Sequence, residues 1–183
     1  VHTAFDEVCR SAEHRGLRVT GSELVGLVPL AAMLEAGRHY LRRQQRSLGV
    51  SEAELVTIAV KSLGLEELAP FKPEERIIEY RLRQAGTHPL ARLSVAGFAD
   101  ETASESAAPG GGSVAALLGA LGAALGTMVA NLSAHKRGWD GRWEEFSQWA
   151  ETGQRLKDEL IGLVDEDTRA FNRVLEALGL PRT

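Results

Sequence analysis

The sequence has a single cysteine, Cys9, among 183 residues, which excludes a disulfide framework within the chain and a cysteine-rich zinc site. A reducing compartment follows, and the cytoplasm is the expected location. Charge of one sign is also lacking. Lys and Arg number 21 against 25 Asp and Glu, a formal net charge of -4, with no like-charge block long enough to form a tail. Nucleic acid is therefore not an expected partner. No basic-then-apolar leader follows Val1, so no export address is read, and the sequence is expected to begin inside a longer chain. What is present is enough for folding. At 44% hydrophobic and 25% charged residues, the chain can bury the core of one ordinary domain or two small ones.

The longest uncharged stretch, residues 106–135, is long enough to cross a bilayer. Its middle, residues 114–130, holds six Ala and three Gly beside four Leu, which is weakly hydrophobic for lipid. No membrane span is expected there, and the reading is a buried helix of a bundle.

Periodicity predicts a helix over 4–15, extended chain over 17–28 broken at Gly21 and Ser22, and a helix opening at Pro29. Ser51-Glu52-Ala53-Glu54 is a capping box ahead of Leu55, Ile58, Ala59 and Leu63, and Gly64 ends that helix. A short helix over 73–82 precedes a connector holding Gly86 and Pro89. The expected domains are 1–83 and 92–183, joined by a linker at 84–91. His14 and His39 stand isolated and read as surface or packing residues. Arg38, Arg42 and Arg46 recur at i, i+4 and i+8 and form, with Arg43, a solvated basic face. The turn Thr20-Gly21-Ser22-Glu23 is either a strand kink or a source of backbone N–H groups for a ligand.

The sharpest local feature is Pro109-Gly110-Gly111-Gly112-Ser113, three glycines leading into a serine placed as the N-cap of the long Ala/Leu/Gly helix. Glycines let a ligand approach the main chain, and a helix start offers free N–H groups and a favourable dipole to a carboxylate, phosphate or carbonyl oxygen. A flexible entry loop capped by Ser113 is the alternative. No Lys stands where a nucleotide-binding loop needs one. The helix carries a row of large residues, Leu118, Leu121, Leu125, Met128 and Leu132, beside a small-residue groove of Ala115, Gly119, Gly122 and Gly126. Each helical glycine costs about 1 kcal/mol relative to alanine, so the groove predicts close approach of another helix, within the subunit or from a second one. His135-Lys136-Arg137 then forms a basic cluster, either favourable charge at the helix end or a clamp for anionic groups.

The last helix is predicted over about 151–178, with the apolar stripe Leu156, Leu160, Val164, Phe171, Val174 and Leu178. At 100° per residue Asp167 lies about 20° from Leu160, near the centre of that stripe, and Asp165 about 140° from it. A carboxylate in a core direction is paired, capped or chemically used.

Taken in order, Val19-Thr20-Gly21-Ser22-Glu23-Leu24-Val25-Gly26-Leu27-Val28-Pro29-Leu30, Leu68-Ala69-Pro70-Phe71 and Glu75-Arg76-Ile77-Ile78-Glu79-Tyr80 resemble the end of the transferase part of the formiminotransferase-cyclodeaminase family. Ala107-Ala108-Pro109-Gly110-Gly111-Gly112-Ser113-Val114-Ala115-Ala116 and Leu163-Val164-Asp165-Glu166-Asp167-Thr168-Arg169-Ala170-Phe171 resemble the start of its cyclodeaminase part. The resemblance implies a mostly α fold, with an α/β remnant of a transferase subdomain followed by a segment of an all-helical bundle. It also implies folate-linked histidine breakdown: formimino transfer from N-formiminoglutamate to tetrahydrofolate as co-substrate, then cyclisation to 5,10-methenyltetrahydrofolate with release of ammonia.

No metal is implied, and a homo-oligomer formed through the glycine-grooved helix is. The family's transferase histidine lies in an earlier region, so His2, His14, His39, His88 and His135 do not inherit that role, and the chain looks like a partial copy. Beside this implied function, we assign Asp167 to acid/base or pterin-anchoring work, Gly110, Gly111, Gly112 and Ser113 to the ligand's polar edge, and Lys136 with Arg137 to folate carboxylates. A methenyltetrahydrofolate cyclohydrolase and a non-catalytic oligomerisation module are the rival readings.

Overall fold

The computed structural model describes residues 1–82, 89–106 and 108–179. Most of the expected linker, 84–88, therefore lies outside the described residues, as do Ala107 and residues 180–183. The chain forms two compact units, Val1–Gln84 with Asn131–Gln148, and Ala85–Ala130 with Trp149–Thr183.

In the first unit, α1 (His2–Glu13), α2 (Leu30–Arg43), α3 (Glu52–Ser62), α4 (Pro73–Arg76) and α5 (Ile78–Leu82) follow one another. The core is built from Met33, Ala36, Ala59, Leu63 and Ile77, all fully buried. Gly37 lets α2 and α3 meet, since a Cβ there would lie 2.3 Å from the Leu55 carbonyl oxygen. Ser51 caps α3, its hydroxyl accepting from the Glu54 N–H at 3.2 Å, which is half of the expected capping box, and Gly64 ends α3 at φ +63°.

The helix expected over 73–82 is split at Ile77. That residue is extended and pairs with Val28 in a parallel bridge, through Val28 N–H to the Arg76 carbonyl and Ile78 N–H to the Val28 carbonyl, both 3.0 Å. The Gly21-Ser22 turn is tied to the end of α3. Its Ser22 N–H donates to the Gly64 carbonyl at 3.1 Å and its hydroxyl to the Leu63 carbonyl at 2.6 Å, satisfying groups at the end of α3.

Helix α1 buries no residue fully and is held to α2 by polar contacts. The Asp6 carboxylate receives His39 Nε2 at 2.8 Å, the Tyr40 hydroxyl at 3.2 Å and an Arg43 guanidinium N–H at 3.1 Å. His2 stacks on His39 with ring centroids 4.3 Å apart. His39, isolated in sequence, is thus one member of a cluster.

Burial raises the Asp6 carboxyl's proton affinity, but the His39 hydrogen bond, Arg43 and Tyr40 outweigh it and the net shift is downward. Burial, then His39, lower the His2 pKa against the opposing pull of Glu35 and Asp6. Both contributions to docking are full at neutral pH. The His2 share is lost as pH falls below about 6.5, and the Asp6 share only as pH falls through its depressed carboxylate range. Hydrogen exchange should show α1 protection declining relative to α2 and α3 between about pH 7.5 and 5. A constant ratio over that interval removes His2 from the account.

In the second unit, α6 (Val95–Thr102) opens on Ser94, whose hydroxyl accepts from the Gly97 N–H at 3.0 Å. Along the chain it is followed by α7 (Gly111–Ala134) and, after a short 3-10 turn at Asp140–Arg142, by α8 (Trp143–Gly179), which starts well before the expected 151; residues 131–148 of this stretch belong to the first unit. By length and composition α7 could cross a membrane.

Expected as a buried helix, α7 is instead mostly exposed, because what it packs is a narrow row of small side chains: Ser113, Ala116, Ala120, Thr127 and Ala130. A Cβ on Gly153 of α8 would sit 2.1 Å from the Thr127 hydroxyl oxygen, which marks how closely the two helices cross. The large row Leu118, Leu121, Leu125, Met128 and Leu132 is 50% or more exposed. Gly122 and Gly126 face open space, while Gly119 touches Leu160.

Candidate functional site

The second unit has a cavity of about 430 Å³ between the first turns of α7 and the middle of α8, lined by Gly112, Ala115, Ala116, Leu160, Leu163, Glu166, Asp167 and Ala170. Its walls are mostly apolar and its two carboxylates come from α8. Asp167 is half-buried, and its Oδ2 accepts the Ser113 N–H at 2.9 Å and lies 3.2 Å from the Ser113 hydroxyl oxygen. The carboxylate therefore caps the start of α7 from a neighbouring helix.

Gly112 is glycine because of this contact. A Cβ there would stand 2.2 Å from Asp167 Oδ1 and 2.7 Å from Oδ2. The approach that the glycine run offers a ligand is made by the protein's own side chain. Gly110 and Gly111 are open, and a Cβ at either would meet nothing within 4 Å.

Ser113 does not stand at the N-cap. Helix α7 begins at Gly111, which makes Ser113 its third residue, and it is 0% exposed. Its Oγ lies 2.8 Å from the Val164 carbonyl oxygen and 3.1 Å from Thr168 Oγ1. Thr168, missed from the sequence, belongs to this constellation one residue after Asp167.

Asp165 departs most from the expected phase. It is 2% exposed and accepts the N–H groups of Leu90 and Ala91 at 2.9 and 3.2 Å. The large apolar residues Leu156, Phe171 and Val174, which the periodicity marks as core, are more than 40% exposed. Helix α8 packs on Val164, which the periodicity marks, and on Ala150, Gly153 and Asp165, whose small or polar side chains carry little weight in a hydrophobic projection.

Lys136 and Arg137 follow the end of α7, a helix of 24 residues that opens at Gly111. Both are exposed, and the Lys136 ammonium lies 4.9 Å from the Trp139 ring centroid. Among the described residues no group of three or more His, Cys, Asp or Glu is placed to hold a metal ion.

A family model described as formiminotransferase domain matches residues 1–83, and one described as formiminotransferase-cyclodeaminase matches 94–183. Formimidoyltransferase-cyclodeaminase from Mus musculus is 42% identical over 183 residues, and that from Gallus gallus 42% over 185, each covering all of this chain. The chain spans about a third, 34%, of the length of these relatives. Methenyltetrahydrofolate cyclohydrolase from Methylorubrum extorquens is 40% identical over 85 residues, 46% of this chain and 41% of its own. The chain belongs to the formiminotransferase-cyclodeaminase family.

Proposed function

We propose that this chain contributes to a cytoplasmic, folate-linked one-carbon enzyme that cyclises 5-formiminotetrahydrofolate to 5,10-methenyltetrahydrofolate and ammonia, beside formimino transfer from N-formiminoglutamate to tetrahydrofolate. The observation that carries the reading is Asp167: Oδ2 is fixed on α7, Oδ1 has no hydrogen-bond partner among the described residues, and the residue lines an apolar cavity. The chemistry asks little more of the protein. The folate N10 lone pair forms a bond to the carbon of the formimino group, whose imino nitrogen is protonated, and the C=N π pair moves onto that nitrogen. The proton that N10 gives up is the one the former imino nitrogen needs, and the C–N bond to that nitrogen breaks as ammonia leaves. A carboxylate placed beside both nitrogens moves that proton.

The relatives' names support the folate substrate, and the cyclohydrolase match supports a second reading, hydrolysis at the same one-carbon unit. Incubating the protein with 5-formiminotetrahydrofolate separates them. Ammonia together with methenyltetrahydrofolate, seen by its absorbance, supports the cyclodeaminase. Conversion of added methenyltetrahydrofolate to the formyl form, without ammonia release from the formimino compound, supports the cyclohydrolase.

We further propose that α7 is a bundle helix and not a lipid span, and that its exposed leucine row and open Gly122 and Gly126 meet a second subunit. Within the chain, a Cβ at 122 meets nothing within 4 Å among the described residues, so Gly122→Leu should leave the melting temperature of the isolated chain nearly unchanged. Its expected effect is on assembly, through overpacking across the interface. Sedimentation showing the same oligomer for variant and parent excludes this face.

A further inference from the structure

Ser113 closes the Gly-Gly-Gly-Ser motif, yet it is fully buried and all three of its side-chain contacts lie on α8: the Val164 carbonyl oxygen at 2.8 Å, Thr168 Oγ1 at 3.1 Å and Asp167 Oδ2 at 3.2 Å. A hydroxyl has one proton to give and accepts others. With Thr168 donating to Ser113, the Ser113 proton has two acceptors in reach, the Val164 carbonyl and the Asp167 carboxylate. The Ser113 N–H donates to the same Asp167 oxygen at 2.9 Å. Both groups of one residue thus converge on Oδ2, while Oδ1 lies against Gly112, which like Asp167 lines the cavity.

We infer that Ser113 is a positioning residue: its N–H and hydroxyl hold Asp167 so that Oδ1 alone meets the substrate, and Thr168 steadies the serine. This rests on the cyclodeaminase reading of the cavity. The consequence for recognition is specific. Since Oδ2 is already engaged, the ligand is read by a single oxygen, which suits one N–H donor of the folate's reacting region better than a two-pronged amidine grip. Ser113 itself touches no ligand. The hydroxyl has two acceptors, so it can follow the carboxylate's charge: it turns to Oδ2 when Asp167 is ionised and to the Val164 carbonyl when a proton sits on Oδ1. The two hydroxyls then accommodate a proton that arrives and leaves without movement of either helix.

The test is a double-mutant cycle on binding of 5-formyltetrahydrofolate, a stable reduced folate, to the 183-residue chain by calorimetry, with melting curves run in parallel. Ser113→Ala should weaken binding about tenfold, the loss expected for one hydrogen bond to a charged group, and Asp167→Asn by at least as much. Ser113→Ala added to Asp167→Asn should weaken binding no further, because a positioning residue acts only through its partner. A packing role predicts instead that the two effects multiply. Should Ser113→Ala fail to fold, Thr168→Val removes the neighbouring hydroxyl at nearly constant shape. It should weaken binding about threefold in the parent, as for a neutral hydrogen bond, and not at all in Asp167→Asn. A parent chain that binds no reduced folate overturns the cyclodeaminase reading and this inference with it. A parent that binds, with Ser113→Ala equally tight or with multiplying effects, overturns the positioning role alone.

Discussion

Gly112→Ala should abolish high-affinity reduced-folate binding while leaving helical content intact. The added methyl would sit 2.2 to 2.7 Å from the Asp167 carboxylate atoms, inside the closest approach of non-bonded atoms. Asp has a short side chain, so the carboxylate has one way out. It swings off α7 and gives up the Ser113 N–H at 2.9 Å. Loss of a hydrogen bond to a charged group costs about 1.5–3 kcal/mol, enough to lower the melting point measurably without unfolding the unit. The larger effect is positional, since the carboxylate is displaced at the cavity that Asp167 lines, and a weakening of about a hundredfold corresponds to about 2.7 kcal/mol. Gly111→Ala is the control, because a Cβ there meets nothing within 4 Å. Calorimetry finding the two variants alike would return the glycine run to a plain entry loop.

That contrast also marks how far the sequence could be read. Local rules worked where one residue's backbone preference decides the outcome: the Ser51 cap, the Gly64 stop and the Pro29 entry to α2 all form. They reached the family and the mostly helical class as well. They failed where the packed face of a helix is made of small side chains. Both α7 and α8 turn Ala, Gly, Ser and Thr toward each other, at distances a larger residue would forbid, and leave most of their leucines outside, Leu117 and Leu160 excepted.

A hydrophobic projection weights side-chain size and so points at the outer stripes of both helices. Asp167 stands out through that stripe, at the edge of the packed face rather than at its centre. The same projection puts Asp165, which is fully inside, on the outside. The long-range contacts are not legible at all. Asp6 with His39, and Glu79 with the Leu30 N–H at 2.6 Å, join residues 33 and 49 positions apart. No spacing rule within one helix reports them.

The two aspartates of α8, two positions apart, should therefore fail in opposite ways. Asp165 is 2% exposed and holds the peptide N–H groups of Leu90 and Ala91. In Asp165→Asn one acceptor oxygen becomes an NH₂ group facing a donor, and a buried donor is left unpaired at about 1–3 kcal/mol, with the loss of charge assistance added. Chemical denaturation should show the unit destabilised by about 2–4 kcal/mol. Asp167→Asn keeps one oxygen for the Ser113 N–H, so its stability should stay within about 1 kcal/mol of the parent. In a full-length protein carrying this segment, its cyclodeamination rate should fall by about 10² or more, the usual contribution of a group that moves a proton in the transition state. Formimino transfer should continue. An Asp165→Asn protein as stable as the parent would show that the Leu90–Ala91 clamp contributes little. Parental turnover in Asp167→Asn would leave Asp167 as the cap of α7 and nothing more, and the proton would have to pass through another group bordering the cavity, of which Glu166 is the remaining carboxylate.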